Sequence, residues 1–278
     1  MPTQTEKALA FRALHARPGA FVIPNPWDAG STLLLNAFGF EALATTSAGH
    51  AFALGRRDGG GGIGRAETLA NARAIVEATH LPVSADLENG FGDEPEACAE
   101  TIRAASAVGL VGGSIEDASG DPAHPIYDFS RSVERVAAAV EAARSLPTPF
   151  VLTARAENFL HGHPDLEDTI RRLQAFEKAG AEVLYAPGLT KLEQIRTLCS
   201  SVSRPVNVVM GLVGGSFSVQ QLAEAGVKRI SLGSSLARAA LGALTRAARE
   251  IRENGTFSFA AEAIPFAEID RQMRPKGA

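Results

Sequence analysis

Short β-rich runs alternate with longer helix-patterned segments eight times along this chain, and no other feature restricts its fold as strongly. The runs are FVIPN (21–25), ALATTS (42–47), PVSADLE (82–88), VGGSIED (111–117), PFVLTARAE (149–157), EVLYAP (182–187), PVNVVM (205–210) and RISLGS (229–234). Between them, stretches such as ETLANARAIVEATH and EDTIRRLQAFEKAG carry apolar residues at helical spacing. Alternation of this kind implies a parallel sheet with right-handed crossovers. Eight strands in roughly 250 residues is the count of a (β/α)8 TIM-type barrel. Gly109, Gly180 and Gly226 stand where helices should stop before the next strand. The opening MPTQTEKALAFRALHARPG reads as an amphipathic helix, without the apolar core of a signal peptide. No linker splits the chain. Residues 1–253 are therefore expected to form one barrel domain with an N-terminal helix, and 254–278 a helical appendage that serves as an oligomer contact.

Composition removes several function classes. A net charge of −4 over 278 residues gives no basic field for nucleic acid or anionic lipid. No apolar run approaches the roughly 18 residues that span a bilayer. Cys98 and Cys199 sit far apart in helical patterns, which reads as two buried thiols in a reducing, cytoplasmic setting.

In a barrel, chemistry sits at the C-terminal ends of the strands. Side chains alternate along a strand, so Ser84, Asp86 and Glu88 are expected on one face, with Val83, Ala85 and Leu87 on the other. The fourth strand repeats the design with Ser114 and Glu116, Asp117 being expected to turn into the loop. The fifth offers Thr153, Arg155 and Glu157. The mouth thus collects Asp86, Glu88, Glu116 and Glu157 around one cation, Arg155. A hard divalent ion such as Mg²⁺, which suits all-oxygen sites and keeps several waters, would offset that negative excess. The competing reading is a set of ion pairs or helix caps that merely closes the barrel top.

Other chemistries fit poorly. None of Lys7, Lys178, Lys191, Lys228 and Lys276 lies at a strand's C-terminal end, where a carbonyl-trapping amine would stand. No G-x-S-x-G nucleophile elbow is present. His161 and His163 lack a third zinc ligand and read as a solvated loop. DGGGGIGRA (58–66) has Arg65-Ala66 where a phosphate loop needs Lys-Ser/Thr, so it reads as a lid or hinge, together with the loop at 118–130. GLVGGS and LGSS, after the seventh and eighth strands, occupy the fold's usual phosphate-binding place, but tight turns explain them equally well.

The ordered stretches NPWDAGST, TTSAGHAFALGRRDG, SADLENGFG, GGSIED, TARAE and PVNVVM resemble the isocitrate lyase/phosphoenolpyruvate mutase superfamily, in its mutase-like branch. The resemblance implies Mg²⁺ held largely through waters by Asp86, Glu88 and Glu116, with Asp58 anchoring that network. It implies catalytic roles for Asp58, Glu116 and Arg155. It places a small 2-oxo acid against Trp27, Ser47, Ala48, Gly49, Asp86, Arg155 and Asn207. The implied activity is a Mg²⁺-dependent lyase that cleaves the C–C bond beside a 2-oxo acid through an enolate, by decarboxylation or retro-aldol scission. The alternatives are P–C bond chemistry on a phosphonate, as mutase or hydrolase, and a non-catalytic 2-oxo acid-binding protein. The loop after strand four, DASGDPAHPIYDFSRSVERV, has neither the lyases' cysteine run nor the mutases' Lys-Thr-Asn-Ser-like run. The resemblance also implies homodimers or homotetramers that exchange the C-terminal helix between subunits.

Overall fold

The structure is a computed structural model that describes residues 1–59, 61–211 and 215–273. Gly60 of the glycine run, residues 212–214 of GLVGGS and residues 274–278 of the appendage lie outside the described residues. The strands are β1 (Phe21–Ile23), β2 (Leu43–Ala44), β3 (Val83–Asp86), β4 (Gly112–Glu116), β5 (Val151–Arg155), β6 (Val183–Tyr185), β7 (Val206–Val209) and β8 (Arg229–Ser231). All pair in parallel within one sheet, in the order β1-β8-β7-β6-β5-β4-β3-β2. The β1–β2 seam is bridged by the Ala44 N–H donating to the Pro24 carbonyl at 3.0 Å and by the Asn25 amide donating to the Thr45 carbonyl at 2.8 Å. The result is a nearly closed, TIM-like barrel.

Eleven helices surround it among the described residues: α1 (Gln4–Ala16), α2 (Ala29–Asn36), α3 (Ser47–Ala53), α4 (Arg65–Glu77), α5 (Pro95–Ala107), α6 (Phe129–Ser145), α7 (Leu166–Ala179), α8 (Leu192–Ser201), α9 (Val219–Glu224), α10 (Ser235–Asn254) and α11 (Phe266–Gln272). Gly109, Gly180 and Gly226 all take positive φ at or just past helix ends, as their spacing predicts.

Two predicted strands end early, each for a local reason. The run 42–47 keeps only Leu43–Ala44 as strand. The Thr46 hydroxyl accepts the Gly49 N–H at 3.2 Å, and that N-cap turns the chain helical at Ser47. The third strand stops at Asp86 because Glu88 and Phe91 adopt left-handed backbone, with φ of 47° and 60°. Glu88 therefore leaves the two-residue alternation that was expected to carry it.

The barrel bottom is closed by α1. Thr3 and Glu6 form a capping box at its start. Its Ala8, Phe11 and Leu14 are buried against Phe21, Val111, Val151 and Val183, a separate apolar cluster beneath the main core. Its Gln4 amide donates to the Ser106 and Leu110 carbonyls. This plug explains the first of the paired glycines of β4, while the second, Gly113, faces Leu87 and Phe150 of the main core. A Cβ on Gly112 would stand 2.9 Å from the Phe11 ring and 2.9 Å from the Val151 carbonyl oxygen. Gly112→Ala is expected to destabilise the fold by about 1–3 kcal/mol through this overpacking. Urea unfolding measures it, and an unchanged midpoint and slope would show that the plug yields.

Cys98 and Cys199 are free thiols, buried and half-buried respectively. No helix among the described residues is long and apolar enough to cross a membrane. The last long helix, α10, buries only Ala237 and leaves Leu241, Leu244 and Ile251 exposed.

Candidate active site

Three adjacent strands deliver the central charges. β4 and β5 pair Glu116 with Arg155, and β3 and β4 pair Asp86 with Ser114. Arg155 spends its guanidinium on three acids. Nη1 donates to Asp86 Oδ1 at 2.8 Å and Nε to Glu157 Oε1 at 2.8 Å, while Nη2 lies 2.9 Å from Glu116 Oε2 as an ion pair. The face also meets the Tyr185 ring, 5.2 Å from Cζ to centroid. Two of the five guanidinium N–H donors are thus hydrogen-bonded to acids, and those on Nη2 face a third. The other Asp86 oxygen, Oδ2, accepts the Ser47 hydroxyl at 2.9 Å, and the Asp86 N–H donates to Thr45 Oγ1 at 3.0 Å.

The mouth is short of positive charge. Glu88 is pushed up to about 7 by burial and then by the neighbouring Asp86 and Asp58. Asp58 is also raised, by burial first and Asp86 second. Burial lifts Glu116 well above the ordinary carboxylate range, with Arg155 opposing. One guanidinium does not offset this group: desolvation first, and then repulsion between like charges, raises Asp58, Glu88 and Glu116.

The residues expected to hold substrate divide. Ser47, Ala48, Asp58, Asp86, Arg155 and Asn207 line one cavity of about 180 Å³ at the C-terminal end of the barrel. Glu88, Glu116 and Glu157 line an adjoining cavity that shares Ser47, Asp58 and Arg155. Gly49 and Trp27 are not among the residues lining either one. The Gly49 N–H is spent on Thr46, and a Cβ at Gly49 would lie 3.0 Å from the Trp27 Cβ. Trp27 therefore backs α3. Asn207 is buried, donating to Ser231 Oγ at 3.0 Å and accepting from Arg229 Nε at 2.8 Å. In LGSS, the Leu232 and Gly233 N–H groups both donate to Asn25 Oδ1, at 2.8 and 3.0 Å, so neither is free to cradle a phosphate.

Asp117 does not turn into the loop. It is buried, accepting the Glu157 N–H at 2.8 Å and Arg172 Nη1 at 3.0 Å, and burial pushes it up to about 6. The same Arg172 nitrogen donates to the Tyr127 carbonyl, and an Ala118–Ile126 antiparallel bridge closes the loop after β4 on itself. The expected lid at 118–130 is thus tethered at both ends.

Several cavity-lining residues were not placed in the site by the sequence reading, among them His161, which it read as part of a solvated loop. His161 lines the outer cavity beside Glu157. Tyr185, Arg229 and Ser231 line the inner one. The usable signal was Arg229 itself, an arginine inside the otherwise apolar parallel strand RISLGS.

A parallel barrel whose strand ends gather acids and one arginine over a polar cavity defines a barrel enzyme acting on a small polar molecule. The model of the family described as Phosphoenolpyruvate phosphomutase matches residues 11–252. This chain belongs to that family, within the phosphoenolpyruvate mutase/isocitrate lyase superfamily. A solved structure from Burkholderia cenocepacia J2315, named only by class as a lyase/mutase, is 60% identical, with a TM-score of 0.94 over 96% of this chain and 95% of its own. The structure of 2,3-dimethylmalate lyase is 27% identical, with a TM-score of 0.86 over 99% of this chain and 96% of its own. The 2-methylisocitrate lyase of Shewanella oneidensis is 29% identical over 89% of this chain and 86% of its own.

Proposed function

We propose that the protein is a Mg²⁺-dependent lyase that binds a small 2-oxo acid at the barrel mouth and cleaves the adjacent C–C bond through an enolate. The observation that carries this reading is the surplus of carboxylate around Arg155: Glu157 is buried, Asp86, Glu88 and Glu116 are half-buried, and Asp58 stands exposed at the rim. Asp86, Glu88 and Glu116 would hold the ion. The donor set is all oxygen, which suits Mg²⁺. Among the described residues no three acids form a ready-made metal cluster. When bound, Mg²⁺ supplies positive charge to an oxygen that becomes anionic as the bond breaks.

The chain's own groups set the frame. Ser47 fixes one Asp86 oxygen and Arg155 the other, so the acid cannot rotate. The Arg155 N–H donors that are not hydrogen-bonded to acids can hold a substrate carboxylate. Relatives named 2-methylisocitrate lyase and 2,3-dimethylmalate lyase favour C–C scission. The family model's own description favours a second reading, P–C bond chemistry on a phosphonate. A Mg²⁺ assay over oxaloacetate, branched malate-type acids and phosphonopyruvate tests both. Cleavage of a carbon acid to a 2-oxo acid supports the first reading. Turnover of phosphonopyruvate alone supports the second, and tight binding without turnover leaves a binding protein.

The C-terminal helix belongs to the same proposal. Leu241, Leu244 and Ile251 on α10, with Phe257, Ile264 and Phe266 beyond it, form an apolar set that its own barrel does not cover. We take it to pack on a partner's barrel in a homodimer or homotetramer. Leu244→Glu should then lower the mass in light scattering toward that of a single chain. An unchanged assembly, or a wild type that is already monomeric, would exclude the exchange.

A further inference from the structure

Beneath Arg155 lies a second arginine with no acid beside it. Arg229, the first residue of β8, is 5% exposed and lines the inner cavity. Its Nε donates to Asn207 Oδ1 at 2.8 Å, and its Nη2 crosses the barrel to Thr153 Oγ1 at 2.9 Å. Thr153 stands two residues before Arg155 on the same face of β5, which places the Arg229 fork one layer deeper. Its Nη1 is buried and has no hydrogen-bond partner among the described residues. No carboxylate among them lies within ion-pair distance. Burial pulls its pKa down to about 10, so it stays charged at neutral pH.

Such a group is costly. Taking an ion out of water without a counter-charge costs several kcal/mol, and an unpaired donor adds to that. Holding Thr153 and Asn207 does not require it, because a neutral amide could bond both at lower desolvation cost. The surroundings are acceptors and hydroxyls: Tyr185, Ser231, Asn207, Ser84 and Ser114 line the same space. Such a floor suits an anion, and a carboxylate offers two oxygens to a guanidinium fork.

We infer that Arg229, with Asn207 and Ser231, forms an anion subsite in the barrel floor that receives a second carboxylate of the substrate, so that the enzyme selects dicarboxylates over monocarboxylic 2-oxo acids. This rests on the 2-oxo acid reading above. Arg155 and the metal-binding acids take the reacting end, and Arg229 takes the remote one.

The test uses two inert ligands of similar size that share one head group, N-oxalylglycine and N-ethyloxamate, titrated calorimetrically with Mg²⁺ present. Only the first carries a second carboxylate. Wild type should bind it at least about 10-fold more tightly, the range of a charged hydrogen bond. Arg229→Met should erase that preference and leave N-ethyloxamate within about twofold of wild type, as a group confined to the remote end requires. Should Arg229→Met fail to fold, Arg229→Lys carries the test. It keeps the charge but loses the fork, and should cut the preference to about threefold. A preference unchanged in either variant overturns the inference. So does a wild type that binds both ligands equally. If wild type binds neither ligand, the 2-oxo acid reading fails first and this inference falls with it.

Discussion

Asp86→Ala is expected to lower Mg²⁺-dependent kcat/KM by on the order of 10³-fold while the barrel stays folded. Lewis-acid stabilisation of a developing charge is worth several kcal/mol, and each 1.4 kcal/mol is about tenfold in rate. Asp86 joins three parts of the site: it accepts from Arg155 and from Ser47, and it lines the inner cavity as one of the acids proposed to hold Mg²⁺. The fold should tolerate the loss. Asp86 sits at the end of β3, and its removal leaves Arg155 paired with Glu116 and Glu157. Circular dichroism melting checks the fold, and the Mg²⁺ activation curve checks the role. Turnover within about threefold of wild type, with unchanged Mg²⁺ dependence, would remove Asp86 from the mechanism.

The second large effect is on stability. Arg155→Met strips the counter-charge from Asp86, Glu116 and Glu157 at once. Removing one partner of a buried charge group costs about 3–5 kcal/mol, because the remaining charge is left uncompensated. The sign with pH follows. Burial already raises Glu116 and Arg155 opposes that rise, so without the guanidinium its folded-state pKa lies still further above its unfolded value. Stability is then fullest at low pH and is lost as pH rises through the raised pKa. The deficit relative to wild type should therefore be larger at pH 8 than at pH 5, and Mg²⁺ should recover part of it at pH 8. Urea unfolding at both pH values measures it. A deficit independent of pH and of Mg²⁺ would mean that Arg155 acts mainly by packing.

Much of this site is readable from the period of a strand. Asp86, Glu116 and Arg155 lie at inward positions two residues after Ser84, Ser114 and Thr153, and the structure brings all three together. What that period cannot supply is where a strand stops. The Thr46 cap made Ser47 helical, and a left-handed backbone took Glu88 out of register, and neither follows from apolar alternation. The barrel floor was hidden for a different reason. Arg229 meets Thr153 across 76 residues, and only the closure of the sheet shows that both point into one cavity. Asp117 was misplaced because its partners, Arg172 and the Glu157 backbone, belong to later elements.

The plug has a consequence for how the chain is made. α1 leaves the ribosome before every strand of the barrel, yet the strands that cover Phe11 end with Val183 in β6. At about 5–20 residues per second, some 170 residues of synthesis leave the apolar face of α1 without its final partners for roughly 10–30 s. For that interval Ala8, Phe11 and Leu14 are a sticky nascent segment, shielded only by the charged residues Glu6, Lys7 and Arg12 along the same helix. The segment that seals the barrel must wait for the barrel, so the earliest part of the chain is among the last to reach its native contacts.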